Sequence, residues 1–468
     1  MAEIRPFRAV RPAADKASAV AALPYDVYTR EEAAAFVKDK PLSFLNIDRP
    51  ETAFPPAHDM YADDVYRHAA ETYRAQKARG IFITEEKPCY YVYELKMGGR
   101  TQTGIAALSS VDDYLNGVCK KHENTVAAKE QDRILHVDAL SAQTGPIFLS
   151  YHDVPEIDRI TEAVKQEAPL YAFTAEDGIR HRIWRVEDAA LVAKLTKAFA
   201  GIPCTYIADG HHRAASAVKA ALFRREAAEN TPENERHADE KTAAAGEACL
   251  ADGLPAGKHA YDYFLSVLFP DTELVIYDYN RVVLDLNGHT VAEFLKLLGE
   301  HFDVVKLQPQ KEESKAQQAE CMRPKQKGDV GMYLDGTFYR LRLKEADAKA
   351  RAKDAVSRLD VSVLQDLVLS PLLGIGDPRT DSRIRFLGGI RGLSALVKEA
   401  DLAAKAGLEK DGGKKGPAAA FAMYPTSMQE LFAVADAGRL MPPKSTWFEP
   451  KLRSGLLIHD IEKGPHAW

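Results

Sequence analysis

The run Thr205-Tyr206-Ile207-Ala208-Asp209-Gly210-His211-His212-Arg213 gathers a carboxylate, two imidazoles and a guanidinium where a short apolar strand gives way to an alanine-rich helix. Asp209 or Gly210 suits the cap of that helix, and Gly210 allows a tight turn ahead of it. The unpaired N–H groups of a helix start, with the positive end of its macrodipole, attract anions. With Arg213 in the first turn, they would make a phosphate site. Read by itself, the segment serves equally as a capped helix with solvated histidines. Its expected buried stripe is Ala214, Ala217, Val218, Ala221 and Leu222, with Arg213 at the surface.

A second charged segment is Val118-Cys119-Lys120-Lys121-His122-Glu123-Asn124-Thr125, followed by Lys129-Glu130-Gln131-Asp132-Arg133. Glu123 sits where a loop meets a helix, with Asn124 or Thr125 available as cap. A carboxylate among cations can act as a general base or join a metal–phosphate complex. It can also be an ordinary charged helix start. A third segment, Met441 to Lys451, concentrates an ammonium and two hydroxyls at Lys444, Ser445 and Thr446 in a proline-bounded loop. That suits an anion, and it equally suits a turn before a strand at Gly455-Leu456-Leu457-Ile458.

The nucleotide loop GxxxxGK[ST], the elbow GxSxG and the zinc motif HExxH do not occur. A catalytic zinc site is disfavoured, because His211 and His212 are adjacent and diverge around a helix.

The elements that must position these residues alternate between two periodicities. Cys89–Leu95 reads as a strand, Gly98-Gly99 as a turn and Thr103–Leu108 as the partner strand of a hairpin. Pro146–Tyr151 and Leu274–Tyr279 read as further strands. Asp132–Ala142 and Val291–Leu298 carry apolar residues at helical spacing. The alternation implies a mixed α/β fold. Glu226–Lys258, Gln308–Gly328 and Glu409–Gly416 are polar and read as solvated segments that bury too little to order themselves. A domain boundary is expected near Tyr263–Val275.

The chain is 46% hydrophobic and 28% charged, which excludes global disorder. Lys and Arg number 62 against 68 Asp and Glu, for a net charge of −6, which disfavours an electrostatic nucleic-acid binder. Nothing approaches the roughly 18 apolar residues of a membrane span, and no signal-peptide core is evident. Five scattered cysteines offer no disulfide framework or zinc knuckle, and the cytoplasm is the expected compartment.

Asp209–Arg213 before an alanine-rich helix resembles the signature of the ParB-like and sulfiredoxin-like fold. Within that superfamily it is similar to the free L-serine kinases, whose upstream His-Glu pair is matched by His122-Glu123. Nearly the whole chain further resembles a large bacterial family catalogued as a domain of unknown function. The marks are Arg5-Pro6-Phe7, Leu23-Pro24-Tyr25-Asp26-Val27, His122–Thr125 with Asp132-Arg133, Asp209–Arg213 and Met441–Thr446. The resemblance implies a ParB/sulfiredoxin-like catalytic lobe over 1–265, with a surface insertion at 226–258. A second α/β lobe over 266–468 would contribute a phosphate-binding loop.

The implied activity is a small-molecule kinase that makes O-phosphoserine from free L-serine, with pyrophosphate, ADP or ATP as donor. Glu123 would be the general base, and Asp209 would anchor Mg²⁺ or orient a catalytic His211. Gly210, His212 and Arg213 would hold the donor phosphates, with Lys444, Ser445 and Thr446 completing the cradle. The implied partners are small molecules, with self-association left open. The competing expectation is a ParB-like nucleotide- or DNA-binding protein without kinase activity, which the net charge disfavours.

Overall fold

The computed structural model describes residues 1–125, 127–230, 253–310, 313–410 and 417–462. It is mixed α/β and divides into two compact units, Met1–Leu274 with Pro450–Trp468, and Val275–Glu449. The chain therefore leaves the first unit after Leu274 and returns to it at Pro450.

The first unit is built on a mixed nine-stranded sheet. Its strands are Ile4–Arg5 (β1), Tyr90–Met97 (β2), Arg100–Ser110 (β3), Cys119–Lys120 (β4), Ile147–Tyr151 (β5), Tyr171–Thr174 (β6), Arg180–Val186 (β7), Thr205–Asp209 (β8) and Tyr263–Pro270 (β9). They lie in the order β4-β8-β5-β9-β3-β2-β7-β6, with β1 on β3. The hairpin expected at Gly98-Gly99 forms: β2 and β3 pair antiparallel, Tyr91 opposite Ala106, and Gly98 takes a positive φ. Tyr90 to Leu95 are buried throughout, because helices or further chain cover both sides of these central strands.

The helices that matter for the site are Asp63–Ala78 (α1), Ala127–Leu140 (α2), Pro155–Val164 (α3), Ala189–Phe199 (α4) and His211–Asn230 (α5). Ile157, Ile160 and Val164 of α3, Leu195 and Phe199 of α4, and Ala214, Ala217, Val218 and Ala221 of α5 form one core with sheet residues including Ile105, Ile147, Leu149 and Ile207. A second core joins α1 to the N-terminal segment and the end of α2, through Phe44, Ile47, Tyr66, Tyr73, Ala139 and Leu140. On α5 the small residues permit close packing against α2. Leu222, expected in the buried stripe, is instead exposed. The helical turn carries Ala221 inward and Leu222 about 100° away, and the next inward position is taken by Arg224, paired with Asp138 at 2.8 Å.

The second unit holds a six-stranded antiparallel sheet. Its strands are Tyr279–Val283 (β10), Phe302–Lys306 (β11), Asp329–Leu334 (β12), Thr337–Leu343 (β13), Ile384–Gly388 (β14) and Ala419–Met423 (β15). Helix Val291–His301 (α6) forms where apolar spacing indicates one, capped by Thr290 with Glu293. Helix Gly392–Lys410 (α7) packs Leu393, Leu396, Val397 and Ala400 on Val282, Ala420 and Ala422 of the sheet.

Leu274–Tyr279 is not one strand, since Ile276–Tyr277 pairs with Trp447–Phe448 and Tyr279 begins β10. Gly455–Ile458 forms no strand. Gly455 turns with φ +81, Ile458 bridges Val10, and only His459–Asp460 pairs, with Ala142–Gln143. Within Gln308–Gly328 the described residues include a helix, Lys315–Ala319, capped by Ser314. Its last residue, Ala319, and Met322 in the turn that follows are buried, so two well-placed apolar residues order a polar stretch. Most of the Glu226–Lys258 insertion (231–252) and most of Glu409–Gly416 (411–416) lie outside the described residues. Lys258 itself pairs with Asp112 at 2.7 Å.

Candidate functional site

Strand β8 ends at Asp209, Gly210 turns with φ +92, and α5 begins at His211. That strand–turn–helix is the one read from the sequence. Between Ile207 and Asp209 the ladder to β5 shifts register, a bulge that re-aims the Asp209 side chain at the end of the strand. On the other side of β8 runs β4, in parallel, with Thr205 opposite Cys119 and Tyr206 opposite Lys120. Continuing past Lys120, the chain carries His122 and Glu123 to the level where β8 ends. The His122 N–H donates to His211 Nε2 at 3.5 Å, and the two rings meet edge to face at 4.5 Å. The two motifs are 89 residues apart in sequence and adjacent in space.

The electrostatics follow from burial. Burial pushes the His122 imidazole down to about 4 and His211 well below the ordinary range, with each other's presence adding to the effect on His211. Both are neutral at physiological pH. His211 accepts at Nε2, so its proton is on Nδ1. Burial pushes the Asp209 carboxyl up, but Lys451 and Arg213 outweigh it and hold the group below the ordinary carboxylate range. Asp209 Oδ2 lies 3.3 Å from Lys451 Nζ and 3.5 Å from Arg213 Nη2. Two cations on one carboxylate leave net positive charge at the N-terminus of a long helix. Such charge at a helix start favours anions.

Arg213 was expected at the surface, and its side chain is only 12% exposed. It runs back under the turn, where Nη1 donates to the Pro146 carbonyl at 2.5 Å. Gly145 and Gly210 make room for it: a Cβ at Gly210 would stand 3.1 Å from the guanidinium, and one at Gly145 3.5 Å from Arg213 Cδ. Glu123 is half-buried, in the loop that leads into α2. His212 is half-buried on the first turn of α5, and its carbonyl accepts from Ser216 at 2.7 Å. Thr125 donates to Glu130 at 2.7 Å, and Glu130 pairs with Lys219, fixing that loop to α5.

Lys444, Ser445 and Thr446 belong to the second unit. Lys444 is exposed with φ +59, and the Ser445 hydroxyl donates to the Pro442 carbonyl at 2.5 Å. Thr426 donates to the Ser445 carbonyl at 3.0 Å, so the loop is a braced turn. Trp447 packs edge on Tyr279 at 5.0 Å, and Phe448 is buried.

Lys451, at the end of the third charged segment, pairs with Asp209 in the first unit. No local signal marks it. The Arg133 guanidinium, from the charged segment around Glu123, stacks on the Tyr25 ring at 4.2 Å, and both line a cavity of about 40 Å³ with Arg213 and Ser454.

No group of three or more His, Cys, Asp or Glu side chains is gathered for a metal among the described residues. A Mg²⁺ that arrives on phosphate oxygens needs only one or two protein carboxylates, and Asp209 suits that limited role. Nor is any helix among the described residues long and apolar enough to cross a membrane.

A family described as protein of unknown function (DUF1015) matches residues 4–362. The chain belongs to that family. No curated protein matches it. Similar solved structures include a free serine kinase in complex with AMP, at 13% identity and TM-score 0.31, covering 76% of this chain and 92% of that one. Another is SbnI with a C-terminal truncation from Staphylococcus aureus, at 11% identity and TM-score 0.32, covering 76% and 87%. A conserved hypothetical protein from Pyrococcus furiosus matches at 14% identity and TM-score 0.27, covering 76% and 94%. The DUF1015 match spans both motifs that meet at the start of α5.

Proposed function

We propose that the chain is a small-molecule kinase that transfers a phosphoryl group to the hydroxyl of free L-serine. The observation that carries this reading is the parallel pairing of β4 with β8, which sets the His122-Glu123 loop against the positively charged start of α5. The donor's phosphates bind at the α5 N-terminus, with Arg213 and Lys451 turning from Asp209 toward the incoming anion. The serine oxygen attacks the terminal phosphorus, and the new O–P bond forms as the bond from phosphorus to the leaving phosphate breaks. Glu123 takes the hydroxyl proton, and the leaving phosphate departs with the electrons of its bond. Neutral His211 offers Nδ1–H as a donor to the charge that develops. Phosphoryl transfer needs positioning and charge neutralisation above all, so this small set suffices.

When Mg²⁺ is bound, it neutralises charge on the phosphates, and Asp209 is the residue that would hold it. Pyrophosphate ranks ahead of ADP and ATP as donor, because the motif resemblance implies it; Trp447 and Phe448 beside the Lys444–Thr446 loop are the aromatics that could stack on a base, and they are read as packing, Phe448 being buried and Trp447 set on Tyr279. The test is to incubate the protein with Mg²⁺, L-serine and each donor separately, and to look for O-phosphoserine by mass spectrometry. Absence of product with all three donors rejects the reading. A preference for ATP or ADP rejects the donor ranking alone.

A further inference from the structure

Two of the segments singled out in the sequence, Leu23–Val27 and Asp132-Arg133, have no part in the chemistry above. Both line one cavity of about 170 Å³ in the first unit. Its charged wall is Asp26, Arg49, Glu51, Asp132 and Arg133, and its aromatic wall includes Tyr25 and Tyr66. Arg49 and Glu51 are paired at 2.5 Å and are 8% and 3% exposed. Arg133, 7% exposed, pairs with Asp132 at 2.8 Å, and Asp132 also accepts from Tyr66 at 2.9 Å. Taking charges out of water is costly, and a pair of apolar residues of the same size would often serve the fold as well. Buried, oppositely charged pairs that line a cavity are candidates for ligand recognition.

The size and position narrow the ligand. A cavity of roughly 150 Å³ accommodates benzene, and serine is of similar bulk. Positive and negative groups side by side match a molecule that carries both charges on neighbouring atoms. Tyr25 and Arg133 also line the smaller cavity that Arg213 lines, so the two cavities adjoin at that stacked pair. Asp132 and Arg133 stand on α2, the helix into which the Glu123 loop leads.

We infer that this cavity is the acceptor subsite, holding a small amino acid by its α-ammonium on Glu51 and Asp132 and its α-carboxylate on Arg49 and Arg133. Its place in catalysis rests on the phosphotransfer reading. Its ligand class does not.

The experiment has two arms. In the first, L-serine, ethanolamine (serine without its carboxylate) and 3-hydroxypropionate (serine without its ammonium) are titrated into the unmodified full-length protein by calorimetry, with no donor present. Serine binds, and each analogue binds roughly 10–100-fold more weakly, the effect of losing one charged hydrogen-bond group. In the second, Glu51→Gln and Arg49→Lys raise the KM for serine by a similar factor and leave the KM for pyrophosphate within about twofold. Serine that fails to bind, or analogues that bind as well as serine, overturn the inference without any variant having to fold. An unchanged serine KM in a folded Glu51→Gln variant overturns it too. Serine binding that Glu51→Gln abolishes, in a protein that makes no O-phosphoserine, upholds the subsite and rejects the kinase reading.

Discussion

At the scale of single residues, the site separates groups that act from groups that hold them. Glu123 is the only member assigned a proton in the transfer. Glu123→Gln should therefore lower kcat by about 10²–10⁴-fold with an unchanged melting temperature. Near-normal turnover in that variant removes Glu123 from the mechanism. Lys451 and Arg213 share one carboxylate oxygen but differ in their surroundings. Lys451→Met removes a donor-side cation and should raise the KM for pyrophosphate with little change for serine, measured by steady-state kinetics at fixed ionic strength. Arg213→Ala should do the same and also destabilise the protein, because it leaves the buried Pro146 carbonyl without its partner. An unfolding midpoint equal to that of the unmodified protein would show that water replaces the guanidinium there.

At the scale of elements, the β8–Gly210–α5 turn is where conformation and chemistry meet. Gly210 has φ +92, which a side chain rarely adopts, and its missing Cβ leaves space for the Arg213 guanidinium. Gly210→Ala should cost about 1–3 kcal/mol in urea unfolding and weaken donor binding by displacing Arg213. Equal stability and equal pyrophosphate KM would show that the turn relaxes at no cost. A comparable close approach exists in β12, where a Cβ on Gly331 would collide with the Met322 backbone. That glycine lets the turn after Lys315–Ala319 lie directly on the sheet of the second unit.

Across the whole molecule, the buried histidines give stability a defined pH dependence. Burial lowers His122 to about 4 and His181 to about 3, and lowers His136 and His211 in the same direction. In the unfolded chain each returns to about 6.5. The stabilisation that comes from keeping them neutral is thus complete above about 6.5 and is lost as pH falls toward the folded values. Each separation of one pKa unit is worth about 1.4 kcal/mol. Urea midpoints should be flat from pH 7 to 8 and drop steadily between pH 6.5 and 4. A midpoint that stays level to pH 4 would mean that these rings are protonated in the folded protein.

Features written in a few consecutive residues are legible without a structure. The Gly98-Gly99 hairpin, the α6 helix with its Thr290 cap, and the Asp-Gly turn opening α5 all depend on local periodicity and turn chemistry. The two charged segments were also visible as candidates, because their residue types already suit an anion or a proton. What those segments meet depends on long-range pairing and packing. His122 reaches His211 through the parallel pairing of β4 with β8, and Lys451 reaches Asp209 across 242 residues because the chain returns to the first unit. Arg213 is largely covered and Leu222 exposed, although their own stretch of sequence suggests the reverse. Arg49 and Glu51 look like surface charges until α2 and Tyr25 close over them. Strand order and burial are properties of the whole chain, set by which apolar faces cover one another, and no short window of sequence contains that information.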